Sequence, residues 1–334
     1  NTFHDALVPF AERRIIKMEL LMNRVTDLQV RARCSNKGVS MVLLGEKGMG
    51  KRQISERIAA SDLGIEPVKL SSCPLYTLLE PESGIITGDM LEDAFDKTIY
   101  KSDRPHVVVI DDADKMSEAA QDRLLKTLED GSAHSTVLLV CHEKPADTIL
   151  SRCGILRFPE IDTDSIRNFF GGNVNETALM GCKGAPGRYV RLSQDEKYLK
   201  ETGNIIKVLL TAEGKNGLRH ILEAGHCLKE KDSDSIVETF DSFQTESFFF
   251  ALAELFKGTL IQNAGANSRY RLDFGGISRL YMEEELLFLL RKSASLSGAC
   301  TIKGRYNKND YFEFLMGLIN PEAFMEMEDY YAVC

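Results

Sequence analysis

Three groups of residues in this 334-residue chain have the types and spacing for chemistry: a glycine-rich loop ending in Lys51, an aspartate pair at 111–112, and Arg152 between a serine and a cysteine. Gly45-Glu46-Lys47-Gly48-Met49-Gly50-Lys51 follows a short apolar run and precedes a helical pattern, which is the setting of a phosphate-binding loop. Gly45, Gly48 and Gly50 allow a tight turn whose N–H groups face inward at phosphate oxygens. The helix that follows adds its positive end, and Lys51 supplies a point charge for the β- and γ-phosphates. A Ser or Thr at the next position would lend a hydroxyl to Mg²⁺. Here Arg52 stands there, with no lone pair to give and a charge that repels a metal ion. Two readings remain open: a loop that takes ATP, and a loop that keeps the shape alone. Efficient hydrolysis is expected of neither.

Asp111 and Asp112 close the apolar run Val107-Val108-Val109-Ile110. Read as a strand beside the first one, the run delivers both carboxylates to the crevice where ligands sit in open α/β sheets. Asp111 is the residue to hold Mg²⁺ through water if nucleotide binds. Asp112 is in the place of a base that polarises attacking water, although it is one methylene shorter than the usual Glu. The plainer role for such a pair is a turn or a helix cap, for which Asp114 is the better placed. Cys141 and His142 end a third apolar run, Thr136–Val140. His142 there could reach a γ-phosphate or the attacking water, and packing or capping is the competing role.

Elements must carry these groups. Ile15, Ile16, Leu20, Leu21, Val25 and Leu28 recur at helical spacing over 1–37, and Val39–Leu44 reads as a strand buried on both faces. With the strands near 107 and 136 and a helical pattern from Ser117 to Glu129, the alternation predicts a doubly wound parallel sheet. After Phe158-Pro159 the strand signal stops and helical patterns follow, with apolar patches at Phe248–Phe250 and Leu286–Leu290. Domain limits of 1–159, 160–195 and 196–334 follow from these shifts. With 43% hydrophobic and 27% charged residues the composition is that of a globular protein. No apolar run reaches the roughly 20 residues of a membrane span, and Asn1-Thr2-Phe3-His4 begins no signal peptide, so a cytoplasmic location is expected. The net charge of −9 and the absence of a basic stripe argue against this chain holding DNA alone; Lys47, Lys101 and Arg104 are scattered. The eight cysteines form no C-x-x-C pair, and zinc is not expected.

Thr148-Ile149-Leu150-Ser151-Arg152-Cys153 resembles the Ser-Arg-Cys motif of the AAA+ replication clamp loaders. In that family the arginine crosses a subunit boundary to the neighbour's ATP, where a permanently charged planar fork meets the charge of phosphoryl transfer. Leu124-Leu125-Lys126-Thr127-Leu128-Glu129 is similar to the helix after the family's acidic motif. Gly184-Ala185-Pro186-Gly187-Arg188 is similar to the second-sensor turn of its lid, which puts Arg188 in a phosphate-facing place. Asn307-Lys308-Asn309 before Phe312, Phe314, Leu315 and Leu318 resembles the end of its collar. The delta-prime type of bacterial DNA polymerase III subunit fits better than the gamma/tau motor. Only Cys73 lies where the motor type carries a four-cysteine zinc insertion, Arg52 and Asp112 depart from a working ATPase, and the Gly-x-Pro-Gly-Arg turn is typical of delta-prime.

The resemblance implies an α/β P-loop (AAA+) domain with a parallel sheet, a small helical lid and an all-α C-terminal collar. It also implies Arg152 acting in trans, Asp112 as at most a weak base, and partners of the gamma/tau and delta types in a five-membered ring that loads a sliding clamp on primed DNA. The collar's apolar faces are expected to supply most of the assembly surface. Two other readings are an active ATPase working in cis through Lys51, Asp111 and Asp112, and a non-catalytic adaptor.

Overall fold

The computed structural model describes residues 22, 24–96, 105–129, 135–224, 240–300, 308–323 and 325. The chain divides into two compact units, one ending at Ile161 and taking in Ala185–Gly187, the other formed by Asp162–Gly184 and the chain from Arg188 onward. The lid and collar expected at 160–195 and 196–334 thus share the second unit, apart from residues 160–161 and 185–187.

The first unit contains α1 (Arg24–Ser35), β1 (Met41–Gly45), α2 (Lys51–Leu63), β2 (Tyr76–Leu79), α3 (Gly88–Asp96), β3 (His106–Ile110), α4 (Glu118–Glu129), β4 (Ser135–Cys141), α5 (Asp147–Leu150) and β5 (Gly154–Phe158). The five strands form one parallel sheet in the order β2-β3-β4-β1-β5. Val42, Leu43, every residue of Val107–Ile110 and Leu138–Leu139 are closed to solvent. Both faces are covered, as the continuous apolar runs require. Val42, Val108, Val137 and Leu139 pack with Leu91, Ala120 and Leu124 of α3 and α4, while α2 lies along β1, β3 and β4.

The expected adjacency of β1 and β3 is corrected by this order, because β4 lies between them. The cause is the length of apolar sequence in β4. Thr136–Cys141 is buried throughout, so the strand takes a central place where neither face meets water. The parallel register still gathers the strand ends: Leu44 is opposite Cys141, Gly45 opposite Phe158, and Ile110 opposite Leu139. Gly45 must be glycine for a steric reason, since a Cβ there would stand 2.4 Å from the Phe158 carbonyl oxygen.

In α1 the buried face is Thr26, Val30 and Arg33, whereas Val25 and Leu28, expected in the apolar stripe, are exposed. Arg33 can be buried because its guanidinium grips Asp62 of α2 through two bonds, Nη1 to Oδ1 at 2.9 Å and Nη2 to Oδ2 at 2.7 Å. The earlier apolar positions Ile15 to Leu21 lie outside the described residues, as do Lys101, Arg104 and Asn307.

The second unit is helical among the described residues: α6 (Thr163–Phe169), α7 (Glu176–Gly181), α8 (Pro186–Ser193, whose first two residues group with the first unit), α9 (Glu196–Thr211), α10 (Lys215–Ala224), α11 (Ser242–Asn263), α12 (Gly275–Leu280), α13 (Glu283–Ala299) and α14 (Lys308–Ile319). Its axis is the 22-residue α11. A capping box starts it, with Asp241 Oδ1 accepting from Gln244 N–H at 2.7 Å and Gln244 Oε1 accepting from Asp241 N–H at 2.8 Å. The apolar patches at Phe248–Phe250 and Leu286–Leu290 turn mostly inward. Phe248, Phe249, Leu286 and Leu289 are closed to solvent, and the Phe249 ring meets Phe314 edge-on at 5.4 Å. These residues are the unit's own core, and Met282 and Leu287 are the apolar side chains left exposed on this stretch.

Candidate functional site

The loop between β1 and α2 turns through two left-handed glycines, Gly48 at φ +88° and Gly50 at φ +77°. Gly50 is also the N-cap of α2, and no side chain caps that helix. The amides of Gly48, Met49 and Gly50 therefore donate to no other group among the described residues. All three residues line a cavity of about 230 Å³, shared with Lys51, Arg52 and Asp111 among others. Gly187 belongs to this unit and closes one side, its N–H donating to the Gly48 carbonyl at 2.9 Å. A Cβ on Gly187 would stand 2.7 Å from that same oxygen.

Lys51 is buried beneath the loop. Its ammonium donates to the carbonyls of Gly45 at 2.7 Å and Glu46 at 2.8 Å, and lies 3.0 Å from His142 Nδ1. Burial outweighs the neighbouring carboxylates and lowers the lysine to about 8. An ammonium can only donate, so His142 Nδ1 is the accepting nitrogen and Nε2–H donates to Asp112 Oδ1, 2.5 Å away. The other Asp112 oxygen accepts from Lys115 Nζ at 2.5 Å. Lys51, His142, Asp112 and Lys115 thus form one continuous chain, and the carboxylate in the base position is spoken for at both oxygens. The residue sits in a left-handed backbone at φ +48°. Asp114 does not cap a helix; its Oδ1 accepts the His142 amide at 2.8 Å and fixes the end of β4.

The hydrogen bond from His142, with those from Lys115 and the charge of Lys47 added, holds the Asp112 carboxyl well below the usual carboxylate range. A depressed acid stabilises the fold above its unfolded pKa, about 3.9, and the contribution fades as pH falls below that value. Asp112→Asn is expected to lower unfolding free energy by about 1–3 kcal/mol near neutral pH, with the gap to the parent narrowing progressively only below about pH 4. Denaturant unfolding of both chains at several pH values checks this.

Arg52 projects from the first turn of α2. Nη1 lies 3.4 Å from Asp111 Oδ2 and also bonds Glu80, and Nε lies 3.3 Å from Glu56 Oε1. Mg²⁺ does not fit this arrangement. The carboxylate meant for it faces a guanidinium, and position 52 offers no oxygen. The open amides suit phosphate oxygens, whereas the three donors of Lys51 are engaged by Gly45, Glu46 and His142 and would have to exchange to meet a phosphate.

Arg152 follows α5 on the surface of the first unit, its side chain 34% exposed. Nη1 donates to the Thr148 carbonyl at 2.9 Å and Ser151 Oγ at 3.0 Å, and Nη2 pairs with Glu129 at the end of α4. Arg188 lies in the second unit and is buried there, with Nη1 3.2 Å from Glu246 Oε2, Nη2 2.9 Å from Ser247 Oγ, and the Phe243 ring 4.6 Å from its guanidinium carbon. Gly45, Gly48, Gly50, Lys51, Arg52, Asp111, Asp112 and His142 are brought together; Arg152 stands apart from them on the surface. Sequence reasoning missed Glu80 and Lys115, charges with no spacing signal, and gave Glu129 only as the end of a helix, not as a partner of Arg152. It also missed Glu246, whose sequence neighbours read as helix core.

Residues 23–162 match the family model described as DNA polymerase III, delta subunit. The delta' subunit of DNA polymerase III from Pseudomonas aeruginosa is 30% identical over 132 residues, which cover 34% of this chain and 40% of that one. The replication factor C small subunit of Halobacterium salinarum is 31% identical over 88 residues, 25% of this chain and 27% of the relative. The chain therefore spans less than half the length of these two curated relatives. A solved DNA polymerase III gamma subunit-related protein of Thermotoga maritima aligns at 15% identity and a TM-score of 0.41, covering 88% of this chain and 91% of that one. No helix among the described residues is long and apolar enough to cross a membrane.

Proposed function

We propose that this chain is a delta-prime-like clamp-loader subunit of a cytoplasmic DNA polymerase III holoenzyme, which lends Arg152 to a neighbour's ATP site and hydrolyses little or no ATP itself. The delta-type match over 23–162 and the delta' relative support the family. One contrast carries the division of labour. The groups that would work in cis are engaged with one another, Lys51 with His142, His142 with Asp112, and Arg52 with Asp111. Among the described residues, Arg152 is tethered by surface contacts and one exposed ion pair. Such pairs contribute about 0–1 kcal/mol, so leaving Glu129 for a neighbour's phosphates is an easy exchange.

In this reading the partners are gamma/tau-type and delta-type subunits in a five-membered ring, with the sliding clamp and primed DNA met through the assembled complex. Coexpression with motor subunits tests it. The expected result is a stable complex whose DNA-stimulated ATP hydrolysis needs this chain; failure to co-purify with any motor subunit favours the adaptor reading instead.

A further inference from the structure

We propose that Arg52 replaces the divalent cation at the glycine loop, so that this chain binds the phosphates of a nucleotide without Mg²⁺. The proposal concerns the chain's own loop and holds or fails independently of what Arg152 does. Its first support is the pairing of Arg52 with Asp111, 3.4 Å from Nη1 to Oδ2. A Mg²⁺ ion demands a near-octahedral shell of oxygens at about 2.0–2.1 Å. Here the carboxylate that would orient that shell already faces a fixed positive charge, one residue from Lys51.

The second support is the set of donors left over. The amides of Gly48, Met49 and Gly50 have no partner among the described residues, and all three residues line the cavity. Arg52 uses Nε and Nη1 on Glu56, Glu80 and Asp111, whereas its Nη2 donates to no described protein group. Arg52 lines the same cavity. A guanidinium can bridge a carboxylate and a phosphate at once because its five N–H donors point in fixed, separate directions. Lys51 adds a second cation, whose bonds to the Gly45 and Glu46 carbonyls are exchangeable for phosphate oxygens. The acceptor atoms, the open amides and two cations are then matched with no metal in the set. Arg52 supplies one positive charge where Mg²⁺ supplies two, so the binding is metal-independent and weaker than in a metal-loaded loop.

ATP titrated calorimetrically into the full chain, once in excess EDTA and once in excess Mg²⁺, tests the proposal. The parent chain is expected to give the same Kd in both media within about threefold. Arg52→Thr restores a hydroxyl and releases Asp111; it is expected to bind at least about tenfold more weakly in EDTA and to recover when Mg²⁺ is added. Circular dichroism of the variant confirms that it is folded. A parent chain that binds only with Mg²⁺, or in neither medium, overturns the proposal, and so does an Arg52→Thr chain that binds in EDTA as tightly as its parent.

Discussion

Arg152→Ala is expected to slow ATP hydrolysis at the neighbouring subunit by about 10³–10⁵-fold in a reconstituted ring, the range in which a trans arginine acts on phosphoryl transfer. Assembly should be unchanged, because the side chain is partly exposed and contributes no core packing to its own unit. Arg152→Lys should recover little of the rate, since a point charge lacks the planar fork that meets two phosphate oxygens together. The local bonds to Thr148 and Ser151 preset where the guanidinium leaves the surface. Glu129→Gln keeps that geometry while removing the competing charge, so it should leave hydrolysis at the parent rate or above it. An Arg152→Ala ring that turns over ATP at the parent rate would show that the arginine does nothing across the boundary.

The largest expected loss of stability lies elsewhere, at Asp62→Ala. Arg33 and Asp62 have side-chain exposures of 4% and 0%. Arg33 is pinned further by donating to the carbonyls of Val39 at 2.9 Å and Asn36 at 3.0 Å. Removing the carboxylate strands a charged guanidinium between α1 and α2, which costs about 3–5 kcal/mol. The first unit's denaturant midpoint reports the loss directly. Replacing both partners with apolar residues of similar volume should cost far less, or nothing, because no charge is then left buried. A single Asp62→Ala chain as stable as its parent would mean that Arg33 escapes to water.

These two residues show what a sequence does and does not disclose. Glycines at 45, 48 and 50 with Lys51, after a strand of Val and Leu, announce their conformation because few backbones other than a tight loop accommodate them. Continuous apolar runs disclosed β1, β3 and β4 by their burial on both faces. β2 and β5 escaped notice because Tyr76–Leu79 and Gly154–Phe158 are short, with partly exposed positions. The pairing of Arg33 with Asp62, of Arg52 with Asp111 and of Arg188 with Glu246 was invisible, since each joins residues 29 or more positions apart. Apolar residues mislead in the opposite way: Phe248 and Leu286 could as well have faced a partner as each other's helix, and only packing decides between the two.

The long helix α11 has buried residues on every side, from Thr245 to Thr259. It packs most extensively against α13, and also against α7, which comes earlier in the chain. During synthesis α7 is therefore available to it at once, while α13 is still to be made. Until Glu283–Ala299 leaves the ribosome, the face of α11 that packs against it stays uncovered. A chain stopped between Asn263 and Glu283 presents one face of a phenylalanine-rich helix to its surroundings, the kind of surface that chaperones hold and that concentrated nascent chains aggregate through.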